Sequence, residues 1–116
     1  MRFLIILNDP PYGTERSYNA LRLSRSLAAK EGTELRLFLL GDGVGCAVSG
    51  QKTPDGYYNL DTMIRSLART GVSIGCCGTC MDARGITEAM LSDGAHCSSM
   101  DELAEWTLWA EKVITF

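Results

Sequence analysis

Three of the five cysteines lie within five consecutive residues, at Cys76, Cys77 and Cys80. They follow the apolar run at residues 72–75, and residues 77–80 form a C-x-x-C motif. A thiol in such a motif is activated where free backbone N–H groups stabilise its thiolate form, and Arg84 would add positive charge. Two thiols at this spacing can also form a disulfide reversibly, or one can resolve a modification on the other. The stretch is therefore a candidate thiol site at the end of a strand.

Two other functional interpretations remain open for the C-x-x-C motif. A thioredoxin-like oxidoreductase would carry it after the first strand, with a later proline facing it, but all three prolines precede the motif. A zinc site needs four ligands, and one C-x-x-C motif supplies two. The remaining ligands would have to come from Cys46, His96 or Cys97.

The structural alternative is that the cysteines are small apolar core residues, since free cysteine is often buried. We expect this of Cys76, at the end of the strand, and of Cys97. It suits Cys77 and Cys80 poorly, because they flank a glycine in a loop. Cys46, in the glycine-rich segment 41–51, is either a helper thiol or a packed residue. His96, the sole histidine, is expected to be a hydrogen-bonded structural residue.

Composition limits the classes of function. The chain has 116 residues, with 46% hydrophobic and 22% charged residues, which is typical of one globular domain spanning residues 1–116. A net charge of −3 with scattered basic residues argues against nucleic-acid binding. No run approaches the roughly 18 apolar residues that a membrane span requires. With no signal-peptide pattern, we expect a cytoplasmic protein, where clustered cysteines are reactive or metal-binding rather than disulfide-bonded.

The elements that would position these thiols alternate between strand and helix. Strands are expected at residues 3–7, 35–40, 72–76 and 112–116, with a brief one at His96 and Cys97. The unbroken apolar run at residues 3–7 is typical of a strand buried on both faces. Arg36 suggests some exposure of the second strand, or an edge position for it. Apolar residues at helical spacing follow the caps expected at Thr14 or Ser17, at Asn59 and at Ser99, where Glu102 completes a capping box. Stops are expected at Gly32 and Gly71, and a short helix at residues 86–91.

This order predicts an α/β fold with a mostly parallel sheet of about five strands, covered by helices on both faces. In such sheets, chemistry gathers beyond the carboxyl ends of the strands. The loops at residues 8–13, 41–51 and 77–85 all open on that edge. We therefore expect Cys46 and the cysteine cluster on the same side of the molecule.

The sequence resembles the DsrE/DsrF-like family, most closely its small YchN-like members. The resemblance extends over nearly the whole chain and is carried by the segments at residues 41–44, 50–59, 77–86 and 100–106. It implies a three-layer α/β/α sandwich of the DsrEFH-like, flavodoxin-like type. It also implies a homo-oligomer, either a trimer or a hexamer.

In the sulfur-relay members of that family, a cysteine at the end of this strand carries sulfur as a persulfide, and Cys77 occupies that position. We therefore expect a persulfide carrier or sulfurtransferase that exchanges sulfur with donor and acceptor proteins, with no cofactor and no resident metal. Gly78 and Thr79 would donate N–H groups to the Cys77 thiolate. Cys80 is an additional thiol whose role stays open, and the alternative function is an oligomeric module that binds a metal or small ligand through Cys77 and Cys80.

Overall fold

A computed structural model describes all 116 residues of the chain. Its five strands are β1 (Arg2–Leu7), β2 (Glu34–Leu39), β3 (Ser73–Cys77), β4 (Ala95–Ser98) and β5 (Lys112–Thr115). They form one sheet in the order β4-β3-β2-β1-β5, and every pairing is parallel. The four helices are α1 (Arg16–Ala28), α2 (Leu60–Arg69), α3 (Gly78–Asp82) and α4 (Met100–Trp109), and two 3-10 helices span Gly41–Ala47 and Glu88–Met90.

The strand order explains how the helices cover the sheet. Strands β1 to β4 follow one another outward from the middle of the sheet. Helix α4 then crosses back over the sheet, and β5 pairs with the free side of β1. Right-handed crossovers therefore place α1 and α2 against one face and α4 against the other. Alternate β2 residues reach both layers: Leu37 is fully buried, while the Phe38 ring meets Trp106 of α4 edge-on at 5.9 Å. The predicted three-layer α/β/α fold is confirmed.

Several local predictions are also confirmed. Asn59 caps α2, since its side chain accepts the Thr62 N–H at 3.1 Å. Gly71 follows α2 with a φ of +95°, a conformation that ends helices and favours glycine. The predicted fourth strand is present as β4, and Cys76 is fully buried.

Arg36 is partly exposed, as one of the two expectations had it, but the other expectation, that it marks an edge strand, is wrong. Strand β2 lies in the middle of the sheet, between β1 and β3. Its Arg36 guanidinium lies 4.0 Å from the centre of the Trp109 ring and 5.5 Å from that of Trp106. A cation over aromatic faces can occupy an internal strand because the rings replace part of its hydration.

Helix boundaries account for further differences. Helix α1 begins after Glu15 without a side-chain cap; Ser17 lies inside it and donates to the Asp9 carbonyl at 2.7 Å. It ends at Ala28, four residues before the stop expected at Gly32. The helix expected at residues 86–91 is only the 3-10 turn Glu88–Met90.

At α4, Ser99 does accept the Glu102 N–H at 3.2 Å, which is half of the predicted capping box. The Glu102 carboxylate does not return to the cap, because it binds His96 and Ser98 instead. No helix is long and apolar enough to cross a membrane.

Candidate functional site

The turn from β3 into α3 positions the thiol pair. Strand β3 ends at Cys77, which is also the N-cap residue of α3. The Cys77 sulfur accepts a hydrogen bond from the Cys80 N–H at 3.3 Å, and it lies 3.3 Å from the Thr79 hydroxyl oxygen. The fold thus uses a cysteine where a serine or asparagine would usually cap a helix.

These contacts make Cys77 the more acidic thiol of the pair. Burial alone would raise the pKa of Cys77, whose side chain is only 5% exposed. Hydrogen bonds to the Cys77 sulfur outweigh the effect of burial and lower the pKa below its usual value of 9.0. They come from the side chains of Cys80 and Thr79 and from the backbone N–H groups of the same two residues. Donors to the charged form of a group favour that form. Cys77 is therefore suited to act as a thiolate.

Cys80 lies one turn further along and is half-buried. Its sulfur accepts a hydrogen bond from the Gly41 N–H at 3.2 Å, which joins α3 to the start of the 3-10 helix Gly41–Ala47. Burial, together with hydrogen bonding to Cys77, raises the pKa of Cys80, while the Gly41 N–H and the Arg84 charge partly oppose this. The two thiols thus differ in acidity, because the pKa of Cys77 is lowered and that of Cys80 is raised.

Arg84 binds the same two segments from the outer side. Its guanidinium donates to the Asp42 carboxylate at 2.8 and 3.0 Å and to the Cys80 carbonyl at 3.0 Å. Its charge acts on Cys80 rather than on Cys77. The positive charge expected near the thiol pair is therefore present, but beside the second thiol.

Gly78 contributes space rather than a hydrogen bond to the Cys77 sulfur. A Cβ at this position would lie 3.0 Å from the Ser98 carbonyl oxygen and 3.1 Å from the Cys97 sulfur. The donors to Cys77 instead come from Thr79 and Cys80. The glycine lets α3 begin directly against β4.

Apart from the core residue Cys76, two further cysteines, Cys46 and Cys97, lie outside this arrangement. Cys46 is fully buried, its thiol donates to the Asp9 carbonyl at 3.6 Å, and burial raises its pKa to about 11. Its sulfur makes no hydrogen bond to the C-x-x-C pair. Cys97, predicted to be core, is exposed. It lies on β4, the outermost strand at one side of the sheet.

The metal alternative lacks an assembled ligand set. No group of three or more His, Cys, Asp and Glu side chains lies close enough together to hold a metal ion. His96 has the structural role expected of it: it pairs with Glu102 through Nε2 and packs edge-on against Trp106 at 5.9 Å. His96 therefore contacts two residues of α4 and does not complete a metal site with the thiols.

Two residues that the sequence did not indicate as part of the site are Gly41 and Asp42. Both open the loop after β2, and the parallel sheet places that loop beside the loop after β3. The expectation that ligand-binding loops share the carboxyl edge of the strands could have located the segment. It could not identify which of its N–H groups would reach Cys80.

Comparisons with known proteins agree with this architecture. The model of the DsrE/DsrF-like family matches residues 1–116. Protein YchN of Escherichia coli strain K12 is 42% identical over 116 residues, which cover 99% of this chain and 98% of YchN. The crystal structure of YchN from E. coli has a TM-score of 0.94 and covers 100% of this chain and 99% of that chain.

More distant relatives extend the comparison. Sulfurtransferase TusD of Cronobacter sakazakii is 26% identical over 128 residues, covering 100% of both chains. A protein of unknown function from Methanobacterium thermoautotrophicum has a TM-score of 0.78 at 16% identity, covering 99% of this chain and 98% of that one. The second likeness concerns the fold alone.

Proposed function

Because this chain belongs to the DsrE/DsrF-like family, we propose that it is a sulfur-relay protein that carries sulfane sulfur as a persulfide on Cys77. The observation that carries the proposal is the hydrogen bonding of the Cys77 sulfur by Cys80 and Thr79, which favours the thiolate. The thiolate is the nucleophilic form of cysteine. The similarity to the sulfurtransferase TusD supports the class of reaction.

Two exchanges make up the relay. The Cys77 thiolate attacks the outer sulfur of a donor persulfide, R–S–SH, forming Cys77–S–SH and releasing the donor thiolate. An acceptor thiolate then attacks the outer sulfur of Cys77–S–SH, takes it as a new persulfide and restores the Cys77 thiolate. Neither step needs an oxidant or a reductant, because each breaks one S–S bond and forms another.

Incubation with glutathione persulfide, followed by intact-mass and peptide mass spectrometry, tests the proposal. We expect a gain of about 32 Da, one sulfur atom, on the peptide that contains Cys77, and its removal by a dithiol reductant. Cys77→Ser should abolish this gain, whereas Cys97→Ser, which removes the exposed thiol on β4, should retain it. An equal gain in Cys77→Ser would contradict the assignment.

A homo-oligomer, trimer or hexamer, and a cytoplasmic location complete the proposal. Leu108, at 87% exposed, and Val113, at 44%, support assembly, because contact between copies would remove such apolar surface from water. Light scattering coupled to gel filtration should give three or six times the chain mass of 12.6 kDa. A mass of one chain at micromolar concentration would contradict the oligomer.

A further inference from the structure

The C-x-x-C pair places a second thiol against the sulfur that would carry the persulfide. The Cys80 N–H is 3.3 Å from the Cys77 sulfur, so the residue that bears the second thiol is in direct contact with the first. The Cys80 sulfur accepts a hydrogen bond from the Gly41 N–H at 3.2 Å, and the Cys80 thiol also hydrogen-bonds to the Cys77 sulfur. The two sulfurs are therefore hydrogen-bonded neighbours before any disulfide forms.

Access to Cys77 differs for internal and external thiols. Cys77 is 5% exposed, whereas Cys80 is half-buried on the same turn. A thiol of another molecule can reach the inner sulfur of a persulfide on Cys77 only through that small opening. Cys80 needs no such opening, because it lies on α3 with its N–H against the Cys77 sulfur. The structure thus favours attack on the outer sulfur by external thiols, and on the inner sulfur by Cys80.

We propose, resting on the function proposed above, that Cys80 is a resolving thiol that discharges persulfide-loaded Cys77 as hydrogen sulfide. The Cys80 sulfur attacks the inner sulfur of Cys77–S–SH, and the bond between the inner and outer sulfurs breaks. The products are a Cys77–Cys80 disulfide and HS⁻, and the Cys80 proton passes to water or to the sulfide. The carried sulfur is reduced from the sulfane to the sulfide state while the two cysteines are oxidised.

The cycle closes with a dithiol reductant. Such a reductant converts the Cys77–Cys80 disulfide to two thiols and is itself oxidised to a disulfide, so each turnover consumes one dithiol. The net activity is the reduction of sulfane sulfur to hydrogen sulfide. This is a different outcome from relay, in which the sulfur leaves on an acceptor thiol and no cysteine is oxidised.

The surroundings of Cys80 determine when discharge occurs. Burial raises the pKa of Cys80 and keeps it a thiol, which is a poor nucleophile. The Gly41 N–H and the Arg84 guanidinium stabilise the thiolate when it forms. The loaded protein would therefore keep its sulfur long enough to meet an acceptor, and would release it as sulfide when none arrives.

The test follows sulfide and protein mass after loading. The protein is treated with glutathione persulfide, desalted, and incubated without an acceptor. We expect wild type to release about one sulfide per loaded chain and to end about 2 Da lighter than the reduced protein, as a disulfide requires. Cys80→Ser should keep the gain of about 32 Da on Cys77 and release sulfide at least about tenfold more slowly. Cys97→Ser is the matched control and should behave as wild type.

The outcomes separate this proposal from the relay function. If wild type and Cys80→Ser both keep the added sulfur on Cys77, relay stands and resolution by Cys80 is overturned. Release of sulfide by Cys80→Ser at the wild-type rate, or a disulfide that joins Cys77 to Cys97, also overturns it. If no variant takes up sulfur on Cys77, the relay function fails and the resolving role fails with it. A release rate that is independent of protein concentration supports attack within one chain.

Discussion

Arg84 binds one carboxylate oxygen of Asp42 through two of its nitrogens, at 2.8 and 3.0 Å. Its third nitrogen donates to the Cys80 carbonyl at 3.0 Å. One side chain therefore joins the segment after α3 to the loop after β2, across 42 residues of sequence. Since both charged groups are partly exposed, at 35% for Arg84 and 62% for Asp42, the ion pair itself contributes little to stability.

Arg84→Ala should therefore change the acidity of the Cys80 thiol more than the stability of the fold. We expect the free energy of unfolding to fall by about 0.2–1 kcal/mol and the pKa of Cys80 to rise further, because the nearby positive charge favours the thiolate. The pH dependence of iodoacetamide labelling at Cys80, followed by peptide mass spectrometry, measures the second effect. Arg84→Lys is the control: it retains the charge but loses the planar fork. An unchanged labelling profile in Arg84→Ala would show that the guanidinium does not act on Cys80.

The acidity of Cys77 should depend on the side chain at position 80. Burial tends to raise the pKa of Cys77, and hydrogen bonding with the Cys80 side chain is the largest effect that lowers it. Cys80→Ala removes that partner, so labelling of Cys77 should require a higher pH than in wild type. Cys80→Ser retains a hydroxyl donor and should lie between the two. Identical pH profiles for the alanine variant and wild type would assign the low pKa to the backbone and Thr79 alone.

The alternation of strand and helix patterns along the chain predicted most of the architecture. The unbroken apolar run of β1 indicated a strand buried on both faces, which is typical of a parallel sheet, and such a sheet places the loops after its strands at one edge. Arg36 wrongly suggested an edge strand, because two tryptophan rings of α4, 70 or more residues away in sequence, replace part of its hydration inside the sheet. The residues next to Arg36 in the sequence contain no information about aromatic partners so far along the chain.

The candidate site was predictable in its thiols but not in their contacts. Three cysteines in five residues indicated the thiol pair directly. The hydrogen bond from Gly41 to Cys80 joins residues 39 positions apart, and it depends on the register of β2 against β3 as well as on how sharply each strand turns. Cys97 was misassigned to the core because the residue type alone does not reveal that β4 lies at the edge of the sheet.

Gly43 and Gly45 offer a matched pair for testing the loop that reaches Cys80. A Cβ on Gly43 would lie 2.3 Å from the Leu7 carbonyl oxygen, so the backbone would have to move. A Cβ on Gly45 would lie 3.4 Å from the Pro11 ring, an ordinary contact. We expect Gly43→Ala to lower the free energy of unfolding by about 1–3 kcal/mol or more, and Gly45→Ala to change it much less. Urea denaturation measures both, and equal losses would contradict the close approach to Leu7.

The two buried thiols outside the site should make the fold sensitive to alkali. Burial raises the pKa of Cys46 to about 11 and that of Cys76 to about 12, from the usual value of 9.0. Between pH 9 and these values the unfolded chain has lost protons that the folded chain keeps, so the free energy of unfolding falls as pH rises. Each thiol should contribute a slope of up to about 1.4 kcal/mol per pH unit in this window.

Urea denaturation of wild type and of Cys76→Ala at several values from pH 8 to pH 11 measures this slope. The substitution should lower the free energy of unfolding at pH 8, since it removes a buried sulfur. Above pH 9 the curve should then decline less steeply than that of wild type, by the contribution of one thiol. The slope, rather than the value at any one pH, reports the thiol, because the loss of packing is present at every pH. Parallel declines in the two proteins would show that the buried sulfur of Cys76 ionises as readily in the folded chain as in the unfolded one.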